Sequence, residues 1–449
     1  MRFLYPVVFY CLLFSALPAD ASDSTLTLTG AIAYALEHGV SMRLAVNGQQ
    51  TYAYDLLSSK YALLPSARAS LSASGSAAAA RQVSAGASAG GDYSFSPADY
   101  ALCRSSGNRM KAAVSDLEQL RKDISVAVLI QFVKAVGAMK LIEVEQADID
   151  YQTGKTDEIE ARFQAGKVAR SDLLQQRSNL AEARARYITA AQNFQREKLS
   201  LLDLLGLPLA TGSYRLDTAH VARLLDRCSD LPAEHRFTDL PETDEIRAQR
   251  LKIAAEEAKL SAARLSYFPD LSFSAGWSAD GLIYSSETGA TGRGDAFTSA
   301  VRVGASLGIP LFDGRQRWLK VRNAENSVRN AGLTLEKMQQ GRDLDIARAA
   351  LDDAMAKEKI SAGTIRCEAA GEALDAVEER YRAGASTLLD LNQVRATWIS
   401  ARSDLLQAQF DRIESTVALL NRTGHFERVT ELLNESYGSG GAGETGNSR

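Results

Sequence analysis

Two hydrophobic periods alternate along this chain. Over residues 66–76 apolar and polar positions change places at every step, with Ala67, Ala69, Leu71 and Ala73 on one side and Ser66, Ser70, Ser72 and Ser74 on the other. The same period of two returns at 270–278 (DLSFSAGWS) and at 299–309 (SAVRVGASLGI). Alternation of this kind, mixed with Gly and aromatics, predicts strands with one wet face and one apolar face. A further strand is expected near 91–101, where Ser96-Pro97-Ala98-Asp99-Tyr100 interrupts the chain, and Tyr284 to Phe297 reads as a polar, Gly-rich connecting loop.

Elsewhere the period is helical. From about Asn108 to Ala165 and from about Arg315 to Ala383 no proline occurs. At 1.5 Å per residue each run would extend on the order of 90–100 Å, which suggests coiled-coil-like packing. The apolar spacing agrees: Leu117, Leu120, Ile124 and Ala127 step by three, four and three, as do Leu344, Ala347, Leu351 and Ala354. Shorter stripes follow, one through Leu180, Ala183, Tyr187, Ala190 and Phe194, the other through Leu391, Trp398, Ala401, Leu405 and Ala408. These stripes are rich in alanine, which lets neighbouring helices approach closely, and they are assigned to packing. Gly166 and Gly384 stand where a helix should end in a left-handed residue and reverse, so each long helix is expected to begin a hairpin. Near the N-terminus, Thr29 is the expected N-cap of a helix through Leu36.

The two sets of elements are related. Arg162–Gly206 laid over Arg380–Gly424 needs no gap, since every equivalence has the offset 380 − 162 = 218, and 13 of the 45 positions are identical. The identities include both pairs of flanking glycines (Gly166/Gly384, Gly206/Gly424) and Asp172/Asp390. The predicted organisation is a segment 1–21 to be removed, a first repeat 22–206, a linking segment 207–242, a second repeat 243–424, and a C-terminal segment 425–449 ending in a Gly-rich tail expected to be disordered.

Composition narrows the class. The 449 residues carry a formal net charge of −4, so no basic excess is available to neutralise nucleic acid. Arg2, the apolar run Phe3–Pro18 and Ala19-Asp20-Ala21 read as a signal peptide with its cleavage site. Past Ser22 no run of 18 apolar residues appears, so no helical membrane span is expected. Cys103, Cys228 and Cys367 are too widely spaced for a disulfide framework or a metal site. The four His (His38, His220, His235, His425) are scattered, and neither a nucleophile elbow nor a phosphate loop is present, which argues against an enzyme; no cofactor is implied. The Arg-Gly-Asp within Gly289–Asp295 is read as chance. An exported chain with amphipathic strands and no helical span enters an outer membrane as part of a closed β-barrel. Four short strands cannot close one, so several chains must pool theirs. A soluble periplasmic coiled-coil adaptor is the alternative reading.

Arg162-Phe163-Gln164-Ala165-Gly166 with Ser171-Asp172-Leu173-Leu174, and Arg380-Tyr381-Arg382-Ala383-Gly384 with Leu389-Asp390-Leu391, resemble the duplicated hallmark of the TolC-like outer-membrane efflux protein family. Ile309-Pro310-Leu311-Phe312-Asp313-Gly314 is similar to that family's strand-to-helix junction. The resemblance implies a mainly α fold with β: long helical hairpins forming a periplasmic α-barrel, and four strands per protomer joining a twelve-stranded outer-membrane β-barrel in a homotrimer. It also implies a passive exit duct in the outer membrane, served by a periplasmic adaptor and an inner-membrane transporter of proton-driven or ABC type, with drug, metal, peptide or protein as cargo. By position, Tyr381 and Asp172 match the residues that tie the two hairpins at the periplasmic gate, and Asp390 matches an acidic position at the narrowest part of the lumen. The turns at Gly166, Lys167, Gly384 and Ala385 would receive the adaptor. Ser386 and Gln393 depart from the family pattern, so the gate links are expected to be weaker or made differently, through Lys167 or Arg170.

Overall fold

The computed structural model describes residues 25–76, 82–207, 214–218, 221, 223–225, 241–285, 298–309 and 311–429. In chain order these form β1 (Thr25–Leu26), α1 (Leu28–His38), α2 (Val40–Tyr61), β2 (Ser66–Ser76), β3 (Gln82–Phe95), α3 (Pro97–Gln164) and α4 (Arg170–Leu205). Then come β4 (Arg215–Leu216), α5 (Asp244–Leu265), β5 (Asp270–Ser285), β6 (Thr298–Gly308), α6 (Gln316–Arg382) and α7 (Leu388–Arg422). The order helix, two strands, very long helix, shorter helix thus occurs twice. The chain separates into two compact units, one of residues 43–120 and 242–344, the other of residues 1–42, 121–241 and 345–449.

The first of these units holds an antiparallel sheet in the order β2-β3-β5-β6. Its register sorts the side chains by face. Leu71 stands opposite Ala87, Tyr93 opposite Phe273, Ala89 opposite Trp277, Trp277 opposite Val301 and Ala275 opposite Val303, so the large apolar groups share one face. The other face carries serines that meet across strands: Ser70 and Ser88 at 2.7 Å, Ser74 and Ser84 at 2.8 Å, Ser272 and Ser306 at 2.6 Å. The apolar face is bare. Leu71 is 89% exposed and Val303 81%. Burying a side chain of this size is worth about 1.5–3 kcal/mol, so the face demands an apolar partner outside the chain. At the end of the sheet where β2 and β5 begin and β3 and β6 end, Tyr61, Leu64, Tyr267, Phe268, Leu311 and Phe312 are also exposed. Beside the sheet, α3 and α5 are joined by a buried hydrogen bond from Ser105 Oγ to the Ala255 carbonyl (2.8 Å) and by Lys252–Asp116 (2.9 Å).

The other unit has a conventional core. Leu28, Ala31 and Ala35 of α1 pack with Val128, Leu129, Phe132 and Val133 of α3, Leu201 and Leu205 of α4, and Ile413, Val417 and Leu420 of α7. Helix α3 is long and apolar enough to cross a membrane by composition, yet Val128, Leu129, Phe132 and Val133 lie buried in this core. Where α3 passes α7 the helices touch closely: a Cβ on Gly137 would sit 3.0 Å from the Phe410 ring.

Several expectations shift. The second strand is β3, ending at Phe95, not a strand near 91–101. Pro97 opens α3 there, since its fixed φ and missing N–H suit a first helical turn, and Asp99 favours the same end. The helix α1 is capped by Thr27, whose hydroxyl accepts from the Gly30 N–H at 3.2 Å, not by Thr29. The segment 207–242 is less irregular than its prolines suggest: β4 pairs in parallel with β1, and Val221 and Leu224 enter the core. Val429, past the second repeat, is buried there too. The predicted signal segment 1–21, the Arg-Gly-Asp loop and the Gly-rich tail lie outside the described residues.

Candidate gate at the hairpin ends

Both hairpins turn on a left-handed glycine. Gly166 has φ 69° and Gly384 φ 75°. In each the residue after the glycine donates to the carbonyl five positions back, Lys167 N–H to the Arg162 carbonyl and Ala385 N–H to the Arg380 carbonyl, both at 2.8 Å. An added Cβ would meet nothing within 4 Å at either glycine, so the backbone conformation, not space, requires glycine here. Beyond the second turn Thr387 and Asp390 form a reciprocal capping box. The Asp390 N–H donates to Thr387 Oγ1 at 3.1 Å, and the Thr387 N–H to Asp390 Oδ2 at 3.1 Å. Hydrogen bonds from the Thr387 hydroxyl and N–H, then from Ser386, hold the Asp390 carboxyl below the usual carboxylate range. The first turn lacks this cap: Ala169 occupies the N-cap, and Asp172 accepts only from the Ser171 hydroxyl, at 3.3 Å. Asp390 is exposed and Asp172 half-buried.

Tyr381 lies half-buried against Leu374, Val377 and Leu391. Its ring faces Lys155 Nζ at 4.6 Å and the Arg162 guanidinium at 5.8 Å. Burial raises its phenol above the ordinary tyrosine value against the pull of Arg162, with the carboxylates of Glu158 and Asp172 adding to the rise. Asp172 is therefore near enough to act through its charge, but no hydrogen bond joins it to Tyr381.

The bonds between the two hairpins are made deeper, by residues the sequence reading did not single out. Asp148 of α3 is fully buried and is held from two sides, by Arg395 Nε of α7 at 3.0 Å and by Arg186 of α4 at 2.7 Å. Arg186 also reaches Glu145 at 3.3 Å. Burial raises the Glu145 carboxyl, and Arg186 offsets part of that rise. The Arg395 guanidinium lies 3.2 Å from the centre of the Tyr151 ring, and the Tyr151 hydroxyl donates to Glu378 of α6 at 3.0 Å. Asn392 of α7 donates to Gln176 of α4 at 3.2 Å, and Gln176 to Gln152 of α3 at 2.8 Å. The network spans all four helices. Lys167 and Arg170 make no ion pair with a described residue. One signal was available: the buried stripe Val144, Asp148, Gln152, Thr156, Ile159 keeps helical spacing while turning polar.

The repeat also hides a reversal of charge. Asp148 and Arg186 correspond, at the offset of 218, to Arg366 and Asp404. Those two residues form an ion pair of their own at 2.7 Å, within the second hairpin. Each hairpin keeps the contact with its signs exchanged. The partner of Arg395, by contrast, has no copy: its equivalent Arg177 binds Glu160 at the surface.

A four-stranded amphipathic sheet, two long helical hairpins and an α-helical core between the repeats define a class, the outer-membrane channels with periplasmic helices. Residues 240–425 match the family model described as outer membrane efflux protein. The chain is 24% identical over 355 residues to the pyoverdine export outer membrane protein OpmQ of Pseudomonas aeruginosa, covering 76% of this chain and 69% of that one. It is 22% identical over 293 residues to the outer membrane protein TolC of Salmonella enteritidis, covering 62% and 56%. Among solved structures it is similar to the CmeC outer membrane channel of Campylobacter jejuni, with TM-score 0.75, 17% identity and 91% and 89% of the two chains covered. VceC of Vibrio cholerae gives TM-score 0.73 at 17% identity, over 88% and 96%. The chain is similar over most of its length to the TolC-like outer-membrane efflux proteins, and its place is the outer membrane with a helical extension in the periplasm.

Proposed function

We propose that three copies of this chain form the passive exit duct of a tripartite efflux or type I secretion system. The observation that carries this reading is the sheet. Its apolar face is bare, its opposite face is lined with serine, and among the described residues β2 and β6 leave their outer edges unpaired. Such a sheet is unstable in water and complete only when its edges pair with other copies and its apolar face meets lipid. Four strands from each of three chains give a closed barrel with the serines inside. The exposed aromatics at one end of the sheet suit the membrane interface, where amphipathic rings settle.

The hairpins then line a periplasmic conduit. The bonds of Asp148, Tyr151, Arg395 and Glu378 hold the hairpins of one protomer together in a closed state, with Tyr381 and Asp172 nearer the turns. Asp390 is placed by its capping box at the start of α7, where three copies would set a ring of acid facing the aperture and favour cations. The turns at Gly166, Lys167, Gly384 and Ala385 receive a periplasmic adaptor, which couples the duct to an inner-membrane transporter, proton-driven or of the ABC type. Names of relatives such as the pyoverdine exporter support export of small molecules, without fixing the cargo.

In-cell crosslinking from Lys167→Cys and Ala385→Cys tests the docking. Capture of an adaptor together with a transporter is the expected result, and the transporter's type separates small-molecule efflux from peptide secretion. Release of the protein from membranes by carbonate, with no periplasmic protein captured, would remove the duct reading and favour a soluble coiled-coil protein.

A further inference from the structure

The serine-lined face of the sheet carries a row that departs from the rest. Arg68 of β2 stands opposite Gly90 of β3, Gly90 opposite Gly276 of β5, and Gly276 opposite Arg302 of β6. One cross-strand row thus reads Arg, Gly, Gly, Arg. Neither arginine makes a hydrogen bond or an ion pair with a described residue, and both are exposed. The two glycines leave the floor between them free of side chains, and an open trough of about 340 Å³ lies over it, rimmed by Arg68, Ser70, Ser88, Asp92, Ser278 and Arg302. A side chain at Gly90 would crowd the sheet itself, since its Cβ would come 3.2 Å from the Ala275 carbonyl oxygen.

We infer that this trough is an anion-binding site, and that in the assembled barrel it forms an arginine belt which recruits anionic solutes into the β-barrel section of the duct. The inference rests on the duct reading above, because only in a closed barrel does this face become a lumen. Three inter-strand steps separate the arginines by about 14 Å, and a guanidinium reaches about half of that, so both forks can bear on one extended solute. Serine hydroxyls along the rim add neutral donors. The solute class that fits is an elongated organic anion bearing carboxylate or phosphate groups, since a planar guanidinium matches both in bidentate fashion.

The acids on the same face sit in other rows. Asp92 lies two residues from Gly90, about 7 Å along the strand, and Asp280 lies four residues from Gly276, about 14 Å away. Asp270 stands at the foot of β5. Asp92 lines the trough and lies within the screening length of about 8–10 Å, so it offsets one arginine and leaves the row a net positive charge of one per chain, whereas Asp280 lies beyond that length. Strand tilt of about 40° sets the two arginines of a chain at different heights, so the belt is a band on the order of 9 Å deep. Closing the barrel brings β6 of one chain against β2 of the next, so Arg302 and the neighbour's Arg68 flank each seam.

The test uses the full chain in planar bilayers under a tenfold KCl gradient, with inorganic pyrophosphate added as a probe from the barrel side. Arg68→Ser with Arg302→Ser introduces the residue that this face already uses. The double variant should lower the chloride-to-potassium permeability ratio by roughly threefold or more and lose the current block by pyrophosphate. Arg68→Lys with Arg302→Lys should keep the permeability ratio and weaken the block, since an ammonium cannot bind bidentately. A channel whose ratio and block are unmoved by the serine pair overturns the belt while leaving the duct standing. Absence of any channel from the unaltered protein overturns both.

Discussion

Asp148→Ala is the sharpest probe of the closed hairpins. The carboxylate is fully buried and accepts from Arg395, itself only 7% exposed, and from Arg186, about a third exposed. Removing it leaves the Arg395 guanidinium inside the helix packing without an opposite charge. Breaking a buried pair in this way costs about 3–5 kcal/mol, most of it the unpaired buried ion. The loss at Arg186 adds little, because solvent already screens that side chain. The cost falls on the state in which the hairpins are packed together, since separating them lets Arg395 hydrate. At 1.4 kcal/mol per tenfold, the closed-to-open ratio should fall by about two to three and a half powers of ten. Two measurements follow it: single-channel conductance, which should rise, and amide hydrogen exchange, which should speed up over residues 145–160 and 390–400. Arg395→Ala should cost less, about 1–3 kcal/mol, because Asp148 keeps Arg186. The paired change Asp148→Leu with Arg395→Met should restore packing, since apolar residues of similar volume often equal or exceed a buried ion pair. Unchanged exchange and conductance in Asp148→Ala would refute the argument that this pair holds the hairpins.

Two further outcomes come from the same structure. Tyr151 has its phenol pushed well above the ordinary value of 10.0, first by burial and then by Glu378. A raised folded value means its contribution is complete below pH 10 and is lost as pH climbs through the raised value, where tyrosinate would face carboxylate. Conductance should therefore rise at strongly alkaline pH, and Tyr151→Phe should flatten that rise while opening the channel slightly at neutral pH. On the sheet, Val303→Asp puts a charge on the bare apolar face and should cost about 2–4 kcal/mol at most if that site sits at mid-membrane, read as reduced recovery of folded trimer in outer-membrane fractions. The same change at Ser306, on the opposite face, should leave recovery unaltered.

The gate region shows where reading a sequence succeeds and where it stops. Gly166 and Gly384 were legible because a left-handed helix end selects glycine whatever surrounds it, and the repeat doubled the signal. Asp390 was reached only by resemblance, as an acidic position of the lumen, and its capping box with Thr387 emerged from the structure. Asp148, Tyr151 and Arg395 were not legible. Their partners lie 247 residues apart for Arg395 and Asp148 and 227 for Tyr151 and Glu378, and no local pattern pairs such positions. The offset of 218 was misleading there as well, because Arg395 has a counterpart in Arg177 that does something else. The charge exchange between Asp148–Arg186 and Arg366–Asp404 is invisible to a search for identities, which discards those positions.

Local chemistry alone determined the elements: a period of two for the strands, heptad stripes for the helices and glycine for the turns. The strand β3 slipped in register because alanine, glycine and serine alternate too weakly to mark a boundary, and only pairing with β2 and β5 fixes it from Gln82 to Phe95. Tertiary structure decided which side chains meet. It set Arg68, Gly90, Gly276 and Arg302 in one row although they come from four separate strands, and it buried Asp148 between two arginines from different helices. The physical reason is the range of the forces. Backbone sterics and hydrophobic period act within a few residues and are written into neighbours, whereas a row across a sheet or a buried ion pair exists only after the chain has closed on itself.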